Sequence, residues 1–265
     1  MEELLAVMAQ LRDPVSGCPW DRRQTLRSIV PHMLEEAYEV ADVIERGALE
    51  SLPDELGDLV FQVVFYARIA EEEQRFDFDE VARRMVAKLV RRHPHVFGDE
   101  AAGSDEQRAH TWESIKAQER RERGDSDTSL LADIPRAMPA LTRAVKLGRR
   151  AARGGFDWDH PAPVWDKVVE ELDELREALG ETAGARRRMH EELGDVLLSV
   201  ASLARHLDVE PESALRDACR RFEDRFRAVE AGLAERGLQP GREQRDLMEE
   251  LWSRAKTGGS DGDRQ

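Results

Sequence analysis

At 265 residues the chain has length for one large or two modest domains, and 36% charged against 40% hydrophobic residues without long Pro or Gly tracts indicates a soluble globular protein. A net charge of −15 and a pI near 5.0 exclude broad duplex nucleic-acid binding, which needs a basic surface to displace counterions, and suit cation binding instead. Cys18 and Cys219 lie far apart with no Cys-x-x-Cys or clustered histidines, which excludes a zinc site and a disulfide framework and leaves free thiols in a reducing cytoplasm.

The N-terminal stretch Met1 to Leu11 is amphipathic and acidic, unlike a signal peptide, and no apolar run approaches a membrane span. β-branched residues fall inside 3.6-residue patterns, so an all-α fold is predicted. In chain order the patterns predict helices near 2–12, 25–46, 51–73, 78–92 and 105–122, then a linker over 124–138 rich in Asp, Ser, Thr and Pro. Further helices are predicted near 139–152, 162–179, 185–207, 211–236 and 243–256, with a disordered Gly/Asp-rich tail over 257–265. The expected organisation is two tandem helical-bundle modules, 1–123 and 139–256.

Acidic residues recur in the same order in each half. Glu36 and Glu39 are followed, after fifteen residues, by Glu55 and Asp58; Glu171 and Glu174 are followed, after seventeen, by Glu192 and Asp195. Each pair is spaced i, i+3, which on a helix leaves the side chains about 60° apart and one turn along the axis. Breakers between the pairs, Pro53 in the first half and Gly180 with Gly184 in the second, predict antiparallel helices joined by a turn, with four carboxylates facing one ion. A lone Glu-x-x-Glu is ordinarily a solvated helix face. An ordered quartet that appears twice points instead to magnesium and phosphate chemistry. Apolar runs follow each second pair, so Asp58 and Asp195 are expected to begin buried helices. Gly57 and Gly194, each costing about 1 kcal/mol in a helix interior, imply close approach by a neighbouring helix or a ligand.

The repeat extends to cations and aromatics. Lys88 and Arg92 match Arg221 and Arg225; Trp112 with Lys116 matches Trp252 with Lys256; Trp20-Asp21 matches Trp158-Asp159. Carboxylates for Mg²⁺, basic groups for residual phosphate charge and an indole for a base suit a nucleotide polyphosphate. Lys167 and Arg188 stand four residues before Glu171 and Glu192, where the first half has His32 and Ser51. Basic-before-acidic is the weaker orientation for an i, i+4 ion pair. Phosphate contacts are therefore expected, with the second half as the stronger catalytic site.

Over essentially its full length the chain resembles the MazG nucleoside triphosphate pyrophosphohydrolases in a two-module form. The signature Glu-Glu-x-x-Glu, spacer, Glu-x-x-Asp stands at Glu35 to Glu39 with Glu55 to Asp58, and at Glu170 to Glu174 with Glu192 to Asp195. Gly17 to Asp21, Arg91 to Phe97 and Gly155 to Trp158 are also similar to family segments. The resemblance implies an all-α fold, dimerisation of four-helix modules into a homodimer, and Mg²⁺-dependent hydrolysis of a nucleoside triphosphate to monophosphate and diphosphate, with Mn²⁺ as a substitute. It implies catalytic metal ligation by Glu171, Glu174, Glu192 and Asp195, and nucleotide contacts from Lys167, Arg188, Arg221, Arg225 and Trp252. Lys88, Arg92 and Trp112 are the first-half equivalents. Arginine at 188 and 221 replaces a point charge with a planar fork. House-cleaning of the nucleotide pool and control of a signalling nucleotide are both compatible with membership.

Rival readings fail on residues. Glu191 to Gly194 resembles part of a Nudix box, but Asp173 and Arg188 stand where that box needs Gly and Glu, and no P-loop motif occurs. No histidine follows a Glu by three, as a di-iron bundle requires. A non-catalytic helical scaffold or regulatory nucleotide-binding protein is the alternative, separated from an enzyme by metal-dependent diphosphate release.

Overall fold

The computed structural model describes residues 1–98, 104, 115, 118, 119, 127, 129–180 and 185–258. Among them the regular structure is helical and no strand occurs. The chain divides into two compact units, Met1–Gly124 and Asp125–Gln265.

The first unit contains α1 (Glu2–Leu11), α2 (Pro19–Arg23), α3 (Val30–Arg46), α4 (Leu52–Glu72), α5 (Phe78–Arg92) and α6 (Pro94–Phe97). α3 and α4 pack as a hairpin, and α1 lies along α4. α3 starts five residues later than its periodicity predicts because Thr25 and Ser28 cap each other, Thr25 N donating to Ser28 Oγ at 2.9 Å and Ser28 N to Thr25 Oγ1 at 3.2 Å. Pro31 then occupies the first helical turn, where no N–H is needed. The core joins Met8, Ile29, Val64, Phe65 and Ile69, with Leu4, Leu5, Leu26 and Phe61 against them. Buried Arg12 ties this core together: Nη2 reaches Glu72 Oε2 at 2.6 Å, Nη1 donates to the Asp21 carbonyl at 2.5 Å, and the guanidinium lies 5.4 Å from the Phe65 ring centroid.

The second unit contains α7 (Ala140–Arg153), α8 (Pro161–Leu179), α9 (Ala185–His206), α10 (Pro211–Ala234), a 3₁₀ turn (Arg242–Gln244) and α11 (Arg245–Gly258). α8 and α9 form the dominant pair, α7 packs on α9, and α10 pairs with α11. α11 runs through Gly258, two residues into the segment expected to be disordered; 259–265 lie outside the described residues. The helix expected over 105–122 also lies largely outside them, with 115, 118 and 119 helical. Asp58 and Asp195 do not begin helices: α4 starts at Leu52 and α9 at Ala185, so both acids sit inside a helix. Their apolar followers are only partly covered, with Val60 39%, Leu197 48% and Val200 40% exposed.

Candidate active site

Each helix hairpin gathers carboxylates at its facing surfaces. Glu36 of α3 meets Glu55 and Asp58 of α4, and Glu171 of α8 meets Glu192 and Asp195 of α9; in each set one oxygen per residue lies within 4.8 Å of the others. The expected quartets narrow to trios, since Glu39 and Glu174 stand outside these groups. They remain electrostatically coupled to them. Burial, then the charges of Glu171 and Glu192, raises the Glu174 pKa, and burial, then Asp58 and Glu39, raises that of Glu36. Crowded, partly dehydrated carboxylates of this kind are an all-oxygen donor set for a hard divalent cation.

Cations distinguish the two clusters. Lys167 Nζ lies 2.7 Å from Glu171 Oε1 and 2.9 Å from Glu170 Oε1, and Arg188 Nε lies 3.3 Å from Glu192 Oε1. The i, i+4 ion pairs disfavoured by the orientation argument are thus formed. Glu171 is 6% exposed, and burying a charged carboxylate requires such a partner. The hydrogen bond to Glu171, then that to Glu170, raises the Lys167 pKa in turn. In the first unit His32 is 3.7 Å from Glu35 and edge-on to Trp20, and Ser51 precedes α4.

Other candidates fall elsewhere. Arg92 Nη2 is held by Glu119 Oε2 at 2.5 Å, with Arg91 on the same carboxylate, and Lys88 lies exposed beside Phe76, Glu80 and Arg84. Trp112 lies outside the described residues. Arg221 is exposed and Arg225 half-buried on α10, while Trp252 of α11 packs against Phe222 with ring centroids 5.1 Å apart. None of these three belongs to the carboxylate trio or lines the cavity beside it. A Cβ added at Gly57 or Gly194 would meet no neighbouring element within 4 Å, so no helix of the described chain approaches there.

Sequence reasoning missed that cavity, of about 350 Å³, whose walls include Glu171, Asp195 and Lys167 together with Leu147, Gly148, Phe156, Trp158, Ser199 and Ser202. The segment carrying Phe156 and Trp158 is anchored by Asp157, which accepts from Arg205 Nη1 at 2.8 Å and Nη2 at 2.5 Å and lies 3.0 Å from His206 Nε2. The hydrogen bond from Arg205 pulls the Asp157 pKa down to about 2. Gly148 makes room for this clamp, because a Cβ there would lie 3.1 Å from Arg205 Nε. The available signals were the family-like segment Gly155 to Trp158 and the two serines within an otherwise apolar run.

The fold is all-α and tandem, with a convergent carboxylate trio in each half that could hold a metal ion, and the comparisons place it among the nucleotide hydrolases. The family model for the MazG nucleotide pyrophosphohydrolase domain matches residues 24–97 and 162–229. A protein of Escherichia coli named nucleoside triphosphate pyrophosphohydrolase is 46% identical over 256 residues, covering 97% of both chains. A Thermotoga maritima protein named nucleoside triphosphate pyrophosphohydrolase/pyrophosphatase MazG is 42% identical over 97% of this chain and 96% of its own. Bacillus subtilis YabN is 37% identical over 95% of this chain, which spans 50% of that protein. The chain belongs to the MazG nucleotide pyrophosphohydrolase family, with the domain present twice in tandem.

Proposed function

We propose that the chain hydrolyses a nucleoside triphosphate to the monophosphate and diphosphate at the second cluster, with Mg²⁺ as the metal and Mn²⁺ as its substitute. The observation carrying this reading is the convergence of Glu171, Glu192 and Asp195 with Lys167 and Arg188 paired to two of them. The three carboxylates would hold the ion, which supplies charge neutralisation at phosphate oxygens and activation of water for attack at the α-phosphorus. Lys167 and Arg188 are the groups to neutralise further phosphate charge, Arg188 through its planar fork. Glu174, outside the trio and with a raised pKa, is our candidate for orienting the attacking water.

Large exposed side chains on both hairpin helices, Trp165 58%, Leu172 45% and Leu197 48% exposed, support association into a homodimer. Among the described residues no helix is long and apolar enough to cross a membrane. The role we propose for that activity is removal of aberrant nucleotides from the pool.

The test is diphosphate release from a panel of triphosphates with Mg²⁺. Glu192→Gln is expected to abolish it and Glu55→Gln to retain it. Full activity in Glu192→Gln would remove the assignment, and no release from any triphosphate by the unaltered chain would favour the non-catalytic alternative.

A further inference from the structure

The two carboxylate trios differ in what else their acids touch. In the second unit Glu171 Oε1 lies 2.7 Å from Lys167 Nζ and Glu192 Oε1 lies 3.3 Å from Arg188 Nε, so two of the three acids already have a cation of the chain beside them. In the first unit His32 and Ser51 stand at those positions, and His32 pairs with Glu35, outside the trio. Among the described residues no lysine or arginine forms an ion pair with Glu36, Glu55 or Asp58.

What the first unit has instead is an amide. Gln62 stands four residues after Asp58 on α4, one turn along the same helical face, where the second unit has Ser199. Gln62 is 7% exposed, its Nε2 lies 3.4 Å from Glu36 Oε1, and its Oε1 is buried without a hydrogen-bond partner. An amide steadies a carboxylate by donating to it but cancels none of its charge. Three carboxylates with one oxygen each within 4.8 Å therefore repel one another with no cation of the chain to offset them. The orphaned amide oxygen adds a second deficit, because a buried acceptor without a partner has lost its water for nothing. A hard divalent cation, which takes carboxylate, amide and water oxygens together, answers both.

We propose that the first trio holds a divalent cation by itself, with no nucleotide bound, and that Gln62 is the positioning residue that steadies Glu36 for it and offers an oxygen to the hydrated ion. The second trio is balanced by Lys167 and Arg188, and takes up its ion only together with a triphosphate, whose oxygens draw those two cations off the acids. The part concerning the second trio rests on the hydrolysis reading; the part concerning the first does not. The duplicated acids thus divide their work: one ion belongs to the folded first unit, and the other arrives with substrate.

The test titrates the full-length chain with Mn²⁺ alone, counting free ion by electron paramagnetic resonance. One tight equivalent is expected, lost in Glu36→Gln and kept in Glu171→Gln. Gln62→Met, which keeps the size of the side chain and removes both ends of the amide, is expected to weaken it about 10-fold or more, the usual effect of removing a group that supports a metal ligand. No tight equivalent in the unaltered chain, an equivalent removed by Glu171→Gln but not by Glu36→Gln, or unchanged affinity in a folded Gln62→Met chain would each overturn the proposal. Should Gln62→Met not fold, Gln62→Leu is judged by the same criterion. A second equivalent is expected on adding a non-hydrolysable triphosphate, measured against Glu171→Gln with the same nucleotide so that ion carried by the nucleotide itself cancels. Its absence would remove the second trio's part together with the hydrolysis reading, while the first site stands or falls on the titration without nucleotide.

Discussion

Asp157 stands outside the carboxylate trio, yet it anchors the segment that carries the aromatic wall of the cavity. Its carboxylate is shared by Arg205 and His206, and the hydrogen bond from Arg205 is the main reason that its pKa falls from 3.8 to about 2. A carboxyl depressed by folding contributes stability that is fully present above its unfolded pKa and lost as pH falls through the folded one. The window is therefore from about pH 4 down to about pH 2. Asp157→Asn is expected to destabilise the second unit by about 1 kcal/mol at pH 6, less than the full pKa change implies because the carboxylate lies at the surface where solvent screens the pair. Denaturant titrations of both chains at pH 6 and pH 3 check this, because the difference should shrink at the lower pH. Around the acidic clusters the sign is opposite: Glu36, and Glu174 beside the second trio, are raised by burial and by their acidic neighbours, so their charged forms oppose folding until a cation balances them.

Helices were legible where apolar periodicity was long and unbroken, and poorly legible at their ends. α8 and α9 follow their patterns to within a residue or two, whereas the start of α3 was displaced by hydrogen bonds between Thr25 and Ser28, which do not register in hydrophobic spacing. The trio members were legible because helical spacing is local. Glu39 and Glu174 share those faces but stand outside the trios, because an i, i+3 spacing does not bring every carboxylate to one point. Arg92 pairs with a carboxylate 27 residues away in sequence, which local spacing does not show. Glu119 receives both Arg91 and Arg92, and the hydrogen bond from Arg92 first of all holds its pKa at about 2. Arg92 is thus a staple for α5 in this structure. Glu119→Gln is expected to lower the stability of the first unit by about 1–3 kcal/mol, the cost of leaving buried hydrogen-bonding groups unmatched. Thermal unfolding checks it, and an unaltered melting temperature would return Arg92 to the pool of candidate phosphate ligands.

On the scale of the whole molecule, duplication has produced two units with the same acids and different surroundings. Exposed apolar side chains along α8 and α9 suit burial between copies, so if the proposed homodimer forms there, Leu197→Asp is expected to shift it to monomer in analytical ultracentrifugation at micromolar concentration. A dimer that persists in that variant would move the interface elsewhere. The second unit keeps a cavity of about 350 Å³ beside Glu171 and Asp195. A ligand that fills such a hollow stabilises in proportion to the logarithm of its concentration. Heat should therefore read the nucleotide supply through one half of the molecule alone: in scanning calorimetry with a non-hydrolysable triphosphate, the second unit's transition is expected to climb with ligand concentration while the first stays fixed, making the duplicated chain its own internal thermometer of substrate occupancy.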